Sequence, residues 1–128
     1  MDAPQINATD DTPRVVFEEE TQTLHINGNS FPENTFAFYR PIFAWLEAYL
    51  AGMKDTLTVE MDINYYNSST SKVFMNLFNM LETAAESGKK IGIVWHYDPE
   101  DEDAMEEGEE FKMGLDAVMF NIIAKAAS

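Results

Sequence analysis

Asp55–Asn64 alternates with a period of two. Leu57, Val59, Met61 and Ile63 fall on one side, and Thr58, Glu60, Asp62 and Asn64 on the other. The pattern predicts a strand with one buried face. Arg14–Glu18 and Gln22–Asn27 are shorter strand candidates on either side of a polar Glu19–Thr21 turn, which predicts a β-hairpin. Within it, Leu24 and Ile26 share a face opposite Thr23, His25 and Asn27. Ile91–Tyr97 is an apolar run of strand length, expected to be buried on both faces. In Ala117–Ala124, the alternation of Val118, Phe120 and Ile122 predicts a last strand.

Between the strands the period changes. Phe38, Ile42, Trp45, Leu46, Tyr49 and Leu50 recur at intervals of three and four, the mark of an amphipathic helix. Asn34 is its expected N-cap and Gly52 its stop. Pro41 fits best as the first residue of the main helix, with Thr35–Arg40 as a preliminary turn. Gly28–Asn34 (GNSFPEN) reads as the connection before it. Val73, Phe74, Leu77, Phe78, Leu81 and Ala85 form the stripe of a second helix, expected over Thr70–Glu86 and stopped by Gly88. Met105 and Phe111 suggest a short third helix after a turn at Pro99.

The expected order is ββ-α-β-α-β-α-β. It describes an α/β fold, a single-domain mixed sheet over 14–128 packed with amphipathic helices. Strand–helix–strand units imply parallel neighbours joined by right-handed crossovers. Met1–Pro13, with three Asp, two Pro and no apolar period, is expected to be a flexible tail.

Charge alters this otherwise ordinary picture. There are 23 acids against 8 bases, a formal charge of −15. Nucleic-acid binding needs a basic stripe and anionic membranes attract basic segments, so neither is an expected partner. Nine of the acids lie in Asp98–Glu110, uninterrupted by Lys or Arg. The absence of cysteine excludes disulfides and thiolate metal sites. The N-terminal residues lack the features of a secretory signal, which makes the cytoplasm the expected location.

Tyr65–Lys72 (YYNSSTSK) carries the most chemistry. Four hydroxyl residues, Ser68 to Ser71, stand where a strand ends and a helix opens. Backbone N–H groups and the positive end of the helix dipole suit a phosphate there, free or covalently attached, and Lys72 adds a countercharge. The plain alternative is that one hydroxyl caps the helix and the rest are solvated. Neither a GxxxxGK[ST] loop nor a GxGxxG fingerprint is present. The acidic run is a solvated face, a docking surface for a basic partner through residues such as Asp101, Glu102 and Asp103, or a Ca²⁺ or Mg²⁺ site. An EF-hand register fails, because Glu106 stands where the loop needs Gly and Lys112 where it needs Glu. His25 and His96 are expected to be structural; a Ser68 hydrolase would need His96 as its base.

GNSFPEN followed by FAFYRPIFAWLEAYL, then YYNSSTSK, then WHYDPEDEDAMEEGEEF, resembles the SiaC-type regulatory phosphoproteins, from about Thr9 to Phe111. The resemblance implies a protein without enzymatic activity or cofactor, acting in a bacterial partner-switching module. In such modules a cognate protein kinase phosphorylates one hydroxyl of a YxN[ST]S motif, which falls on Ser68 here, with Ser69, Thr70 and Ser71 as lesser acceptors. A PP2C-type phosphatase removes the phosphate. The unphosphorylated form binds and activates a diguanylate cyclase, raising cyclic di-GMP and favouring biofilm. Tyr65, Tyr66, Asn67, Ser69, Thr70 and Lys72 are then expected on the contact surface, with Asn64 and Asp62 beside them. The implied fold is similar in plan to the anti-sigma-factor antagonist (STAS) domain.

Overall fold

In the computed structural model, which describes residues 2–53 and 56–126, six strands form one sheet in sequence order. They are β1 (Gln5–Ile6), β2 (Arg14–Glu18), β3 (Thr23–Ser30), β4 (Thr56–Tyr66), β5 (Lys90–Tyr97) and β6 (Met119–Ala124). β1, β2 and β3 are antiparallel neighbours, and β3 to β6 run parallel. The parallel strands are joined by α1 (Thr35–Gly52), α2 (Ser68–Glu86) and α3 (Glu102–Met113). The mixed α/β plan matches the expected order. Asp55, the expected start of the third strand (β4 here), lies outside the described residues, as do the ends of the expected tail and domain at positions 1, 127 and 128.

Each parallel step advances the chain in the same direction across the sheet. Right-handed crossovers therefore place all three helices on one face. The core forms there, from Leu24 and Ile26, Leu57 to Met61, Ile91 to Trp95 and Phe120, beneath Leu46, Phe74, Phe78 and Leu81. This corrects the expectation for β5. Ile91, Ile93 and Trp95 are buried, but Gly92, Val94 and His96 are only half-buried on the face that has no helix. That open face carries polar pairs. His25 contacts Glu18 at 3.1 Å, His96 contacts Glu60 at 2.9 Å, and Lys125 contacts Asp62 at 3.1 Å.

Three further expectations change. Gln5 and Ile6 pair with Val16 and Val15, so part of the expected tail is an edge strand. The Phe31 N–H donates to the Asp11 carbonyl at 2.8 Å and fixes the segment further along. α1 starts at Thr35, with Asn34 accepting the Ala37 N–H at 3.0 Å and Pro41 inside the helix. Proline removes the donor that the Ala37 carbonyl would otherwise meet. Both Pro41 and Ala37 are exposed, so water can satisfy that carbonyl. Finally, β3 runs on through Gly28 to Ser30, where a connection was expected.

A bulge in β4 directs the residues that follow. Gly28 pairs with Ile63 and Asn29 with Tyr65, so Asn64 is an extra residue. The insertion reverses which side successive residues face. Tyr65 is turned out to solvent, and Tyr66 is turned in against Phe74 and Trp95.

α3 is seated on Trp95. The indole N–H donates to the Ala104 carbonyl at 2.9 Å, and Phe111 packs against the ring at a centroid distance of 5.4 Å. Gly108 permits the close approach: a Cβ there would lie 2.7 Å from the ring. Tyr66 hydrogen-bonds Glu107 from the neighbouring strand. Burial raises the Glu107 pKa above the usual carboxylate range, and Asp101, Asp103 and Glu110 add to the rise against the lowering effect of Tyr66. Gly108→Ala is expected to destabilise the fold by about 1–3 kcal/mol in urea unfolding, because the methyl meets a rigid ring. The ionised form of Glu107 costs stability, which is recovered as pH falls through its raised folded value. Glu107→Gln should therefore raise the melting temperature at pH 7, and this advantage should shrink as pH falls, in calorimetric scans.

Candidate functional site

The motif Tyr65–Lys72 lies at the C-terminal end of β4 and the start of α2. Asn67 is the N-cap: its Oδ1 accepts the Thr70 N–H at 2.9 Å and its carbonyl accepts the Ser71 N–H at 3.0 Å. The cap is thus an amide rather than one of the hydroxyls, and the helix begins two residues earlier than its apolar stripe suggested. Ser68 and Ser69 are exposed on the first turn. Among the described residues, their backbone N–H groups have no acceptor within the protein. A phosphate attached to either side chain would arrive beside these donors and the positive end of the helix.

Thr70 is different. It is completely buried. Its hydroxyl donates to the Ser30 carbonyl at 3.0 Å and lies 2.9 Å from Ser30 Oγ. Ser30 Oγ is also 2.7 Å from the Tyr39 hydroxyl. A hydroxyl carries one proton, so the directions are determined. Thr70 donates to the carbonyl, Ser30 donates to Thr70, and Tyr39 donates to Ser30. The same Ser30 carbonyl accepts the Asn67 N–H at 3.2 Å. Burial pushes the Tyr39 pKa up to about 12, against a lowering contribution from Ser30, so it stays a neutral donor. This cluster joins β3, α1 and α2. It removes Thr70 from the set of surface acceptors and contact residues in the folded protein.

The remaining expected contact residues divide by position. Tyr65 is exposed, and its ring meets Phe31 edge-on at 5.6 Å. Lys72 is exposed, and Ser71 is half-buried. Tyr66 is half-buried, committed to the core and to Glu107. Asn64 is the exposed bulge residue, whereas Asp62 pairs with Lys125 on the open face. Phe36, 61 % exposed at the start of α1, was not singled out from the sequence, nor was the half-exposed Phe31. Phe36 lines a cleft of about 510 Å³ with Phe43, Val73 and Arg40, between α1 and α2. Exposed aromatics thus stand near the starts of α1 and α2.

Asp101, Glu102 and Asp103 are exposed at the start of α3. Asp101 caps the helix by accepting the Ala104 N–H at 3.0 Å, and Glu102 and Asp103 favour the dipole of its first turn. They border a cleft of about 550 Å³ that also includes Asp62, His96 and Lys125. Among the described residues, no group of three or more His, Cys, Asp or Glu is arranged to hold a metal ion. His96 hydrogen-bonds Glu60 on the open face, whereas α2 packs on the other. The nucleophile–base pair required by a Ser68 hydrolase is therefore not assembled. No helix among the described residues is long and apolar enough to cross a membrane.

Comparison with known proteins agrees with this geometry. A family model described as SiaC family regulatory phosphoprotein matches residues 6–125. An uncharacterised protein of Pseudomonas aeruginosa (strain UCBPP-PA14) is 31% identical over 107 residues, covering 84% of this chain and 85% of its own. The crystal structure of apo-SiaC from P. aeruginosa superposes with a TM-score of 0.89 at 29% identity, covering 97% of this chain and 100% of that one. SiaC in the complex where it is the activator of the diguanylate cyclase SiaD gives 0.89 at 30% identity, over 94% and 98%. The motif that opens α2, the sheet that carries it and the family match over 6–125 lead to one assignment: the chain belongs to the SiaC family of regulatory phosphoproteins.

Proposed function

We propose that this protein is a cytoplasmic switch that activates a diguanylate cyclase when Ser68 is unmodified and releases it when Ser68 is phosphorylated. The observation that carries the reading is an exposed serine on the first turn of α2, beside exposed aromatic side chains. The P. aeruginosa relative is the activator of the diguanylate cyclase SiaD and is found in complex with it, which supports a cyclase as the partner here. A cognate kinase would transfer the γ-phosphoryl group of ATP to Ser68 Oγ, and a PP2C-type phosphatase would hydrolyse the resulting ester. Rising cyclic di-GMP, and with it biofilm growth, is the expected output of the unmodified state.

The physical basis is desolvation. Tyr65, Phe31 and Phe36 offer apolar area that gains free energy by leaving water. A phosphate carries nearly two negative charges and three acceptor oxygens, and burying it among such rings without a basic partner is unfavourable. The free amides of Ser68 and Ser69 stabilise it only while it remains at the surface. Phosphorylation thus favours the solvated, dissociated protein.

Mass spectrometry after incubation with kinase and ATP should place the phosphate on Ser68. Phosphate confined to Ser69 or Ser71 would refute the assignment. The phosphoprotein should bind the cyclase at least about tenfold more weakly, a difference of about 1.4 kcal/mol readable by calorimetry. Equal affinities would refute the switch. Thr70→Val should remain phosphorylated while losing about 1–3 kcal/mol of stability, because it removes the acceptor of the buried Ser30 hydroxyl. Ser68→Ala should show the reverse, with a stability change within about 0.5 kcal/mol.

The acidic start of α3 is assigned to steering. Neutralising Asp101, Glu102 and Asp103 together should slow cyclase association, measured by stopped flow at low salt, more than it speeds dissociation. An unchanged association rate would remove that role. Because Asp101 also caps α3, Asp101→Asn is the suitable replacement, since asparagine caps equally well.

A further inference from the structure

The two edges of the sheet are built differently. β1 is two residues long, too short to template another strand. β6 is six residues long, Met119–Ala124 (MFNIIA), with no charge, proline or glycine. Soluble proteins normally protect such an edge with a charge, a proline or a bulge. Here Met119 is 70 % exposed and Ile123 is 45 % exposed. The nearest cation, Lys125, is drawn across the open face to Asp62 at 3.1 Å and does not guard the edge. On a chain of net charge −15, an uncharged strand lets a second copy pair without placing acid against acid within the ladder itself.

We propose that two copies of this chain pair through β6, antiparallel and with Asn121 on a two-fold axis, to form one continuous sheet. A two-fold axis normal to the sheet keeps open face with open face, so opposing residues must point to the same side. With Asn121 on the axis, Met119 lies opposite the partner subunit's Ile123, and Phe120 opposite the partner subunit's Ile122. Both pairs are apolar, and cross-strand pairs of this kind stabilise sheets. The strand is thus complementary to itself, which favours a second copy over an unrelated extended segment. The pairing sets both acidic α3 helices on the same side of the joined sheet. Their repulsion weakens the dimer at low ionic strength, and salt strengthens it.

The chain has no cysteine, so Asn121→Cys introduces a single thiol on the proposed axis. Directly opposed residues of antiparallel strands have Cα atoms about 4.5–5.5 Å apart, within disulfide range. Under mild oxidation, Asn121→Cys should form disulfide dimers at least about tenfold faster than Met113→Cys, through the effective concentration that pairing creates. Met113 is a fair control, being 83 % exposed on α3 and off the edge. Light scattering on the full-length wild type should approach twice 14.5 kDa as protein concentration rises, and more readily at about 1 M than about 0.1 M salt. Asn121→Lys and Ile123→Lys should remain monomeric with unchanged circular-dichroism melts. Equal cross-linking rates for the two thiol variants would overturn the proposal. So would a wild type that stays monomeric throughout, or lysine variants that still dimerise. A monomeric wild type whose lysine variants bind the cyclase more weakly would give the edge to the cyclase and equally overturn it.

Discussion

Three successive parallel crossovers, from β3 through β6, step the chain one strand at a time in a single direction. Their common handedness leaves the helices no choice but one face of the sheet. The rest of the architecture depends on this constraint. It concentrates the apolar side chains on one side, so β5 needs only Ile91, Ile93 and Trp95 to reach the core. It exposes the opposite face, where His25 contacts Glu18, His96 contacts Glu60 and Lys125 pairs with Asp62. It also brings the starts of α1, α2 and α3 to the same end of the sheet, because each helix follows the C-terminal end of a parallel strand. Phe36, Ser68 and Asp101, distant in the chain, become parts of one end of the molecule.

Within that end, Ser30 holds the geometry. Its carbonyl receives both the Asn67 N–H and the Thr70 hydroxyl, and its own hydroxyl is the link to Tyr39. One residue of β3 therefore fixes where α2 starts and how it is rotated. The rotation decides the fate of the four adjacent hydroxyls. Thr70 begins the buried stripe that continues through Val73, Phe74, Leu77, Phe78 and Leu81. Ser68 and Ser69 must then project outward. The division between an anchoring hydroxyl and exposed ones follows from helical periodicity combined with a single buried polar cluster.

Much of this was legible in the residues. The alternation of Leu57 to Ile63 and the stripe of α2 have one physical explanation each, and both elements formed as the patterns require. The burial of Thr70 was also present in the pattern, three residues ahead of Val73 on the same helical face. Other features were not legible because they depend on tertiary contacts. Pro41 looked like a helix start, yet helix packing retained it inside α1, where the freed carbonyl faces water. Gln5–Ile6 has too little pattern to announce a strand, and only pairing with β2 makes it one. The Asn64 bulge, which turns Tyr65 out and Tyr66 in, depends on the register between β3 and β4. Nothing in the sequence around Gly108 marks it, because its significance lies in a tryptophan on another element.

The acidic run changes meaning once its helix is seen in place. Asp101, Glu102 and Asp103 serve α3 itself, at the end where negative charge is favoured. Glu107 is turned inward to Tyr66, two residues before Ser68, where burial and three neighbouring acids raise its pKa. The junction between the acidic helix and the serine motif thus already disfavours negative charge before any modification. A phosphate added at Ser68 would have few compensating groups within the chain: the amides of the first turn of α2 and the exposed Lys72. Such a charge is tolerable in water and poorly tolerated under a partner. The net charge does not choose the partner.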